Sequence, residues 1–459
     1  MTLTPRLFYQ ATKPSRTLDI QKEDDRQYYI DFSQVRGGKI IEKLRDTITW
    51  SEIGQHTCNL FTGHIGCGKS TELLRLKKEL EDEDFHTIYF ESDQDLDMGD
   101  LDISDILLVM ARRVAQSVES VKNKDHAGSF RKLLRKCVDL LQKEVKLSIK
   151  ANSFAIPGVG EFEFDTDLED ANLSLSTVFG KITATTKKDN DVKARLRDYL
   201  EPKTEAILDV LNEALFDPIN AELQRQGKNG LVIIVDNLDR ISNLKKLSGK
   251  LQSEYIFGER GADLNRLHCH VVYTMPLALR YTDSYKLVKE SFKTLPFVLP
   301  MVPTYHRDGT IHQEGMELLQ QMVLARAFPK LTLEARIEQI TTIFESKETL
   351  AALYEVSGGH VRNRLRILNP WIITEKSFPL TRKELDSAIL NELNEEVQNI
   401  TSDEWDLLRQ VREKKDLVGD RSYEQLIGNL SVYEYRDDLG SWYDINPVLI
   451  DHPSLGIGD

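Results

Sequence analysis

An α/β fold built on a mostly parallel five-stranded sheet is predicted by three features of this 459-residue sequence. First, Gly63-His64-Ile65-Gly66-Cys67-Gly68-Lys69-Ser70-Thr71 fits the pattern G-x-x-x-x-G-K-[ST], with a short β-like run before it and helical spacing after it. Second, Leu231-Val232-Ile233-Ile234-Val235 is an unbroken apolar run ending in Asp236, the signature of a strand covered on both faces of a parallel sheet. Third, the pattern turns helical from about residue 313, so a helical body follows the sheet.

The first feature carries specific chemistry. Glycines let a backbone turn tightly and bring successive N–H groups onto phosphate oxygens. Lys69 adds a point charge for the outer phosphates, Ser70 offers a hydroxyl to Mg²⁺, and the following helix directs its positive dipole end at the same anion. The candidate nucleotide contacts are Gly63, His64, Ile65, Gly66, Cys67, Gly68, Lys69, Ser70 and Thr71.

Whole-chain properties narrow the class. The formal net charge is −14, which removes any global attraction to nucleic acid and leaves only a local basic patch as a route to it. Four cysteines (Cys58, Cys67, Cys137, Cys269) are widely spaced, one of them inside the loop, which argues against a disulfide framework and for a reducing, cytoplasmic setting. No apolar run approaches 18 residues and the first residues have no signal-like apolar region, so neither a membrane span nor secretion is expected.

Along the chain, residues 1–50 form an N-terminal arm with Pro5, Pro14 and the segment Tyr28-Tyr29-Ile30-Asp31-Phe32; Val35-Arg36-Gly37-Gly38 leads into a helix over 39–50. A core spans 51–303. Strands are expected at 56–61, 87–90, 231–235, 270–274 and 297–299. The acidic stretch 93–102 alternates like a calcium loop, but Met98 and Ser104 stand where such a loop needs Gly and Glu; it reads as a solvated turn capping a helix over 103–121. Residues at about 122–203 form an excursion, with a β-hairpin around Pro157-Gly158-Val159-Gly160, and a helix returns over 202–226. His268-Cys269-His270 does not make a metal site, because alternation sends Cys269 to the opposite face from the histidines.

A helical lid over 304–379 follows, with helices at 313–327, 332–344, 347–356 and 361–374; Gly358-Gly359 puts Arg362 in the first turn of the last. Residues 380–459 fit a winged helix: helices at 381–400, 402–414 and 421–427, then a hairpin formed by 432–435 and 442–444. Residues 401–459 hold 6 Lys/Arg and 13 Asp/Glu, a charge of −7 that favours protein docking over phosphate contact.

Together these motifs resemble the AAA+/STAND group of P-loop ATPases, closest to the initiator-type and STAND branches. The fold class implied is a P-loop NTPase core with a helical lid and a C-terminal winged-helix domain. By the resemblance ATP and Mg²⁺ are the cofactors, Lys69, Ser70 and Asp236 hold phosphate and metal, Thr274 is the first sensor, Arg362 the second, and Val35 and Arg36 lie over the adenine. Many AAA+ members place Glu directly after the metal-binding Asp; here that residue is Asn237, and Asp239 is the nearest candidate base. The D-x-x-D-R spelling of 236–240 is similar to STAND-related and KAP-like ATPases. Arg260 and Arg280 are weak arginine-finger candidates. The resemblance implies an ATP-hydrolysing switch that forms a homo-oligomer or engages a protein partner, the alternatives being a DNA-associated loader or a nucleotide-binding protein with negligible turnover.

Overall fold

Five strands, β1 (Cys58–Gly63), β2 (Phe85–Glu91), β3 (Gly230–Asp236), β4 (His270–Pro276) and β5 (Phe297–Leu299), pair in the order β2-β3-β4-β1-β5. Every pairing is parallel. The computed structural model describes residues 3–52, 54–119, 201–246, 249–398, 400–417 and 423–456. The hairpin expected around Pro157 lies outside the described residues.

The order places β1 inside the sheet between β4 and β5, and the loop that follows it opens at the carboxyl edge, where ligands of open α/β sheets bind. All seven residues of β3 are buried because helices cover both faces. On one face the helices Ile40–Thr49 and Lys69–Asp82 turn Leu44, Ile48, Leu73, Leu76 and Leu80 onto the sheet. Each of these side chains contributes roughly 1.5–3 kcal/mol on burial. The other face carries the helix Ile103–Glu119 and the returning segment 204–225.

Several elements differ from expectation. The helix over 202–226 begins as a 3₁₀ turn and is interrupted by a π-helical stretch, Asn212–Phe216. There the Asn212 side chain bonds the backbone of Arg266 and His268. The lid helix over 332–344 breaks into Leu333–Glu338 and Ile340–Ile343, where four β-branched residues in a row, Ile340 to Ile343, disfavour continuation and the Thr342 hydroxyl donates to Gln339 O. The acidic stretch 93–102 is solvated only in part: Gln94 and Asp100 are exposed, but Asp95 pairs with Arg112 and Arg113, Asp93 with Arg240, and buried Asp102 accepts from Ile103 N at the start of the 103–119 helix.

The lid comprises the helices Gln313–Ala327, Lys347–Ser357 and Val361–Glu375 around one apolar cluster. The N-terminal helix Pro5–Ala11 joins that cluster through fully buried Phe8, 6.4 Å edge-on from Phe344. Sequence had placed this segment in a separate arm. C-terminal helices Ser402–Lys414 and Glu424–Gly428 precede an antiparallel hairpin of β6 (Val432–Asp437) and β7 (Gly440–Ile445). One face of the hairpin, with Tyr433, Tyr435 and Trp442, packs into the same apolar cluster as the Lys69–Asp82 helix. Among the described residues no helix is long and apolar enough to cross a membrane.

Candidate functional site

The loop 63–68 folds over the carboxyl end of β1 and opens directly into the helix beginning at Lys69. Gly66 has φ 89°, and a Cβ there would lie 2.6 Å from the His360 ring and 2.9 Å from Arg362 Cβ. Only glycine fits between loop and lid at this point.

Lys69 is buried and donates to Gly63 O and His64 O, each at 2.8 Å, while pairing with Asp239 at 2.8 Å. Both side chains are about 5% exposed (5% and 4%). Burial works against the ammonium charge, but Asp239 more than offsets it, so Lys69 stays raised and charged. In this arrangement the buried lysine is paired with an acid from the turn after β3.

Asp236, at the end of β3, accepts from Tyr89 OH at 2.6 Å and from Asn237 N at 2.7 Å, and Ser70 hydrogen-bonds the same carboxylate. Its pKa is raised, first by burial and then by neighbouring Asp239. A buried carboxylate with hydroxyls around it and no ion pair of its own among the described residues fits a hard cation that takes oxygen ligands. Ser70 and Asp236 are the residues that would hold it. Tyr89 was missed from sequence. Strand alternation puts residues 87, 89 and 91 on one face, but only the register of β2 against β3 brings the phenol to Asp236.

Asn237 adopts a left-handed conformation at φ 61°, and its amide donates to Asp93 at 2.9 Å, which in turn pairs with Arg240. Thr274 is fully buried in β4. Its hydroxyl accepts from Leu238 N at 2.8 Å and Asp239 N at 3.4 Å, so it fixes the turn that carries Asp239 rather than lining the cleft.

A cleft of about 870 Å³, its open mouth included, runs from this loop along the lid. Ile65, Gly66, Cys67, Gly68, Lys69, Ser70 and Thr71 line it together with Asp239, Arg240 and Arg362; Gly63 and His64 do not. Arg36 lines it too, buried, with Nη2 on Cys67 O at 2.7 Å and the guanidinium over the Phe32 ring. Val35 does not reach it and is buried in the lid cluster instead. The N-terminal arm crosses the cleft: Tyr29 OH donates to Glu72 at 3.1 Å and Leu18 N donates to Thr71 at 3.4 Å. These contacts join distant segments and leave no local sequence signature.

Arg362 sits in the first turn of the Val361–Glu375 helix, its backbone N–H on Gly66 O at 3.2 Å, its side chain near Asp239 and Arg240. His360, the preceding N-cap, donates Nε2–H to Ile65 O at 2.8 Å and accepts from Asn363 N on Nδ1. His64 Nε2 accepts from Glu434 N of β6 at 2.8 Å. Loop, lid and hairpin therefore meet at two histidines. The weak finger candidates are engaged within the chain: Arg280 pairs with buried Glu434 at 2.8 Å, and Arg260 with Asp263 at 2.7 Å, away from the cleft. Among the described residues no three His, Cys, Asp or Glu side chains converge on a metal-sized site.

No family model and no curated protein matches the chain. Among solved structures it is similar to a Walker-type ATPase of Pyrococcus abyssi, at 12% identity over 97% of this chain and 100% of that one, with a TM-score of 0.44. The Aeropyrum pernix ORC2 protein, in ADPNP and ADP complexes, follows at 10% identity over 95% and 93%, TM-score 0.40. Cdc6p of Pyrobaculum aerophilum gives 12% over 97% and 96%, TM-score 0.36. The parallel order β2-β3-β4-β1-β5, the glycine loop after β1 and the acid ending β3 give this chain the layered α/β architecture of a P-loop nucleotide-binding fold.

Proposed function

We propose that this chain is a nucleotide-operated switch that binds ATP with Mg²⁺ in the cleft and hydrolyses it slowly. One observation carries the reading: Lys69, Ser70, Asp236 and Asp239 converge at the mouth of the loop, and the same loop is hydrogen-bonded to the lid and to the C-terminal hairpin. In this reading the triphosphate displaces Asp239 from Lys69 and takes the loop N–H groups and the helix end. Ser70 and Asp236 would hold Mg²⁺, which would supply charge neutralisation at the outer phosphates.

Asp239, released from Lys69, is the base that orients and deprotonates the attacking water. Asn237 lacks a basic site near neutral pH and is tied to Asp93. Arg362 follows the outer phosphate with the lid. Any shift of the loop at His64 or Ile65 pulls on Glu434 and His360, so nucleotide state reaches the C-terminal hairpin and the lid through histidine ring-to-backbone hydrogen bonds.

The test combines turnover with and without duplex DNA and light scattering in ATP against ADP. Slow turnover indifferent to DNA, with a nucleotide-dependent mass or radius, is expected. Strong stimulation by DNA would favour the loader reading instead, and identical scattering in both nucleotides would remove the switch.

A further inference from the structure

Arg326, near the end of the Gln313–Ala327 helix, lines the cleft at 7% exposure and has no acid beside it. Its Nη1 donates to Met322 O at 2.7 Å. Among the described residues no carboxylate pairs with it, and Nε and Nη2 meet no protein acceptor. Burial, followed by the like charge of Arg16, pushes its pKa down to about 10, so it remains charged at neutral pH. Arg16 itself is committed to Asp25.

The same cleft therefore carries cations from separate elements: Lys69 at the start of the Lys69–Asp82 helix, Arg362 in the Val361–Glu375 helix and Arg326 in the Gln313–Ala327 helix. Lys69 and Arg362 both lie near Asp239, whereas the charged or titratable neighbours of Arg326 are Arg16 and Tyr28 of the N-terminal arm and Arg364 of the Val361–Glu375 helix. The walls of the same cleft include Leu18, Ile30, Phe32, Met322 and Leu365, apolar surfaces suited to the faces of a base. A guanidinium only donates.

We propose, resting on the nucleotide reading above, that a nucleotide with its phosphates at Lys69 brings the edge of its base to Arg326, and that the site takes guanine or hypoxanthine at least as readily as adenine. Nε and Nη2 form the parallel two-donor edge of the guanidinium. Guanine and hypoxanthine present O6 and N7 side by side as two acceptors, the arrangement that this fork pairs with. Adenine sets its amino group beside N7 and opposes one donor with another.

The experiment is displacement of a ribose-labelled fluorescent ATP from the full-length chain by ATP, GTP and ITP, using wild type, Arg326→Met and Arg326→Lys, with thermal melts as a check on folding. In the wild type GTP and ITP should displace the probe at or below the ATP concentration required. Arg326→Met should weaken GTP and ITP by about 10–100-fold, the range of one bidentate base contact, and ATP by less than ~3-fold. Arg326→Lys keeps the charge without the fork and should show the same selective loss, which decides the matter if the methionine variant does not fold. Unchanged affinities, or equal losses for all three nucleotides, would overturn base reading while leaving the phosphate site standing. A wild type that binds no triphosphate would overturn both.

Discussion

Acid should loosen the junction of loop, lid and hairpin, because two buried histidines there must stay neutral. His64 Nε2 accepts from Glu434 N, and His360 Nδ1 accepts from Asn363 N; protonating either ring sets a donor against a donor. Burial first, then Lys69 and Arg280, push His64 down to about 3; burial, then His64, Arg362 and Lys69, push His360 down to about 3. The unfolded chain binds these protons near pH 6.5 and the folded chain does not. With more protons on the unfolded state, stability is complete above about pH 6.5 and falls as the pH drops toward 3. Each ring then removes about 1.9 kcal/mol between pH 7 and pH 5. That figure is set by the unfolded pKa, because both folded values lie far below pH 5. Urea denaturation of wild type and His64→Gln at both pH values isolates one ring, since glutamine can still accept from Glu434 N. The variant should lose about 2 kcal/mol less on acidification. An identical pH dependence in the two proteins would refute the assignment.

Three further outcomes follow from the geometry. Asp239→Asn should bind Mg·ATP at least as tightly as wild type, because no acid competes for Lys69, yet turn over at least ~10²-fold more slowly; wild-type turnover in a phosphate-release assay would leave Asp239 a purely structural partner. Glu434→Ala should destabilise by roughly 1–3 kcal/mol, since half-buried Arg280 is left without its acid, and calorimetry showing no change would contradict that. At Gly359, φ 78°, an added Cβ would stand 1.6 Å from Val302 O, so Gly359→Ala should cost on the order of 3 kcal/mol or more; a melting temperature equal to wild type would count against this packing.

What the sequence made legible was local. The glycine loop, the acid-ended apolar run and most lid helices carry their signal within ten or so residues, and the helices 313–327 and 402–414 fall where periodicity put them. What stayed hidden joins distant parts of the chain. Phe8 in the lid is packed against residue 344, the Tyr89 phenol reaches Asp236 across 147 positions, and the His64–Glu434 bond spans 370. Thr274 was read from its place at a strand end, but whether its hydroxyl turned to the cleft or to the turn after β3 depended on a neighbouring strand. The break at Gln339 was signalled by the β-branched run after it, which helical spacing alone outweighed.

The central claim is that the loop around Lys69 binds a nucleotide through its phosphates. Its most direct test is a calorimetric titration of Mg·ATP into wild type and Lys69→Ala, with circular dichroism confirming that both are folded. The wild type should bind, and the variant should lose about 10–100-fold in affinity, the usual range for one charge-assisted contact. Equal affinity in the two proteins would contradict the claim.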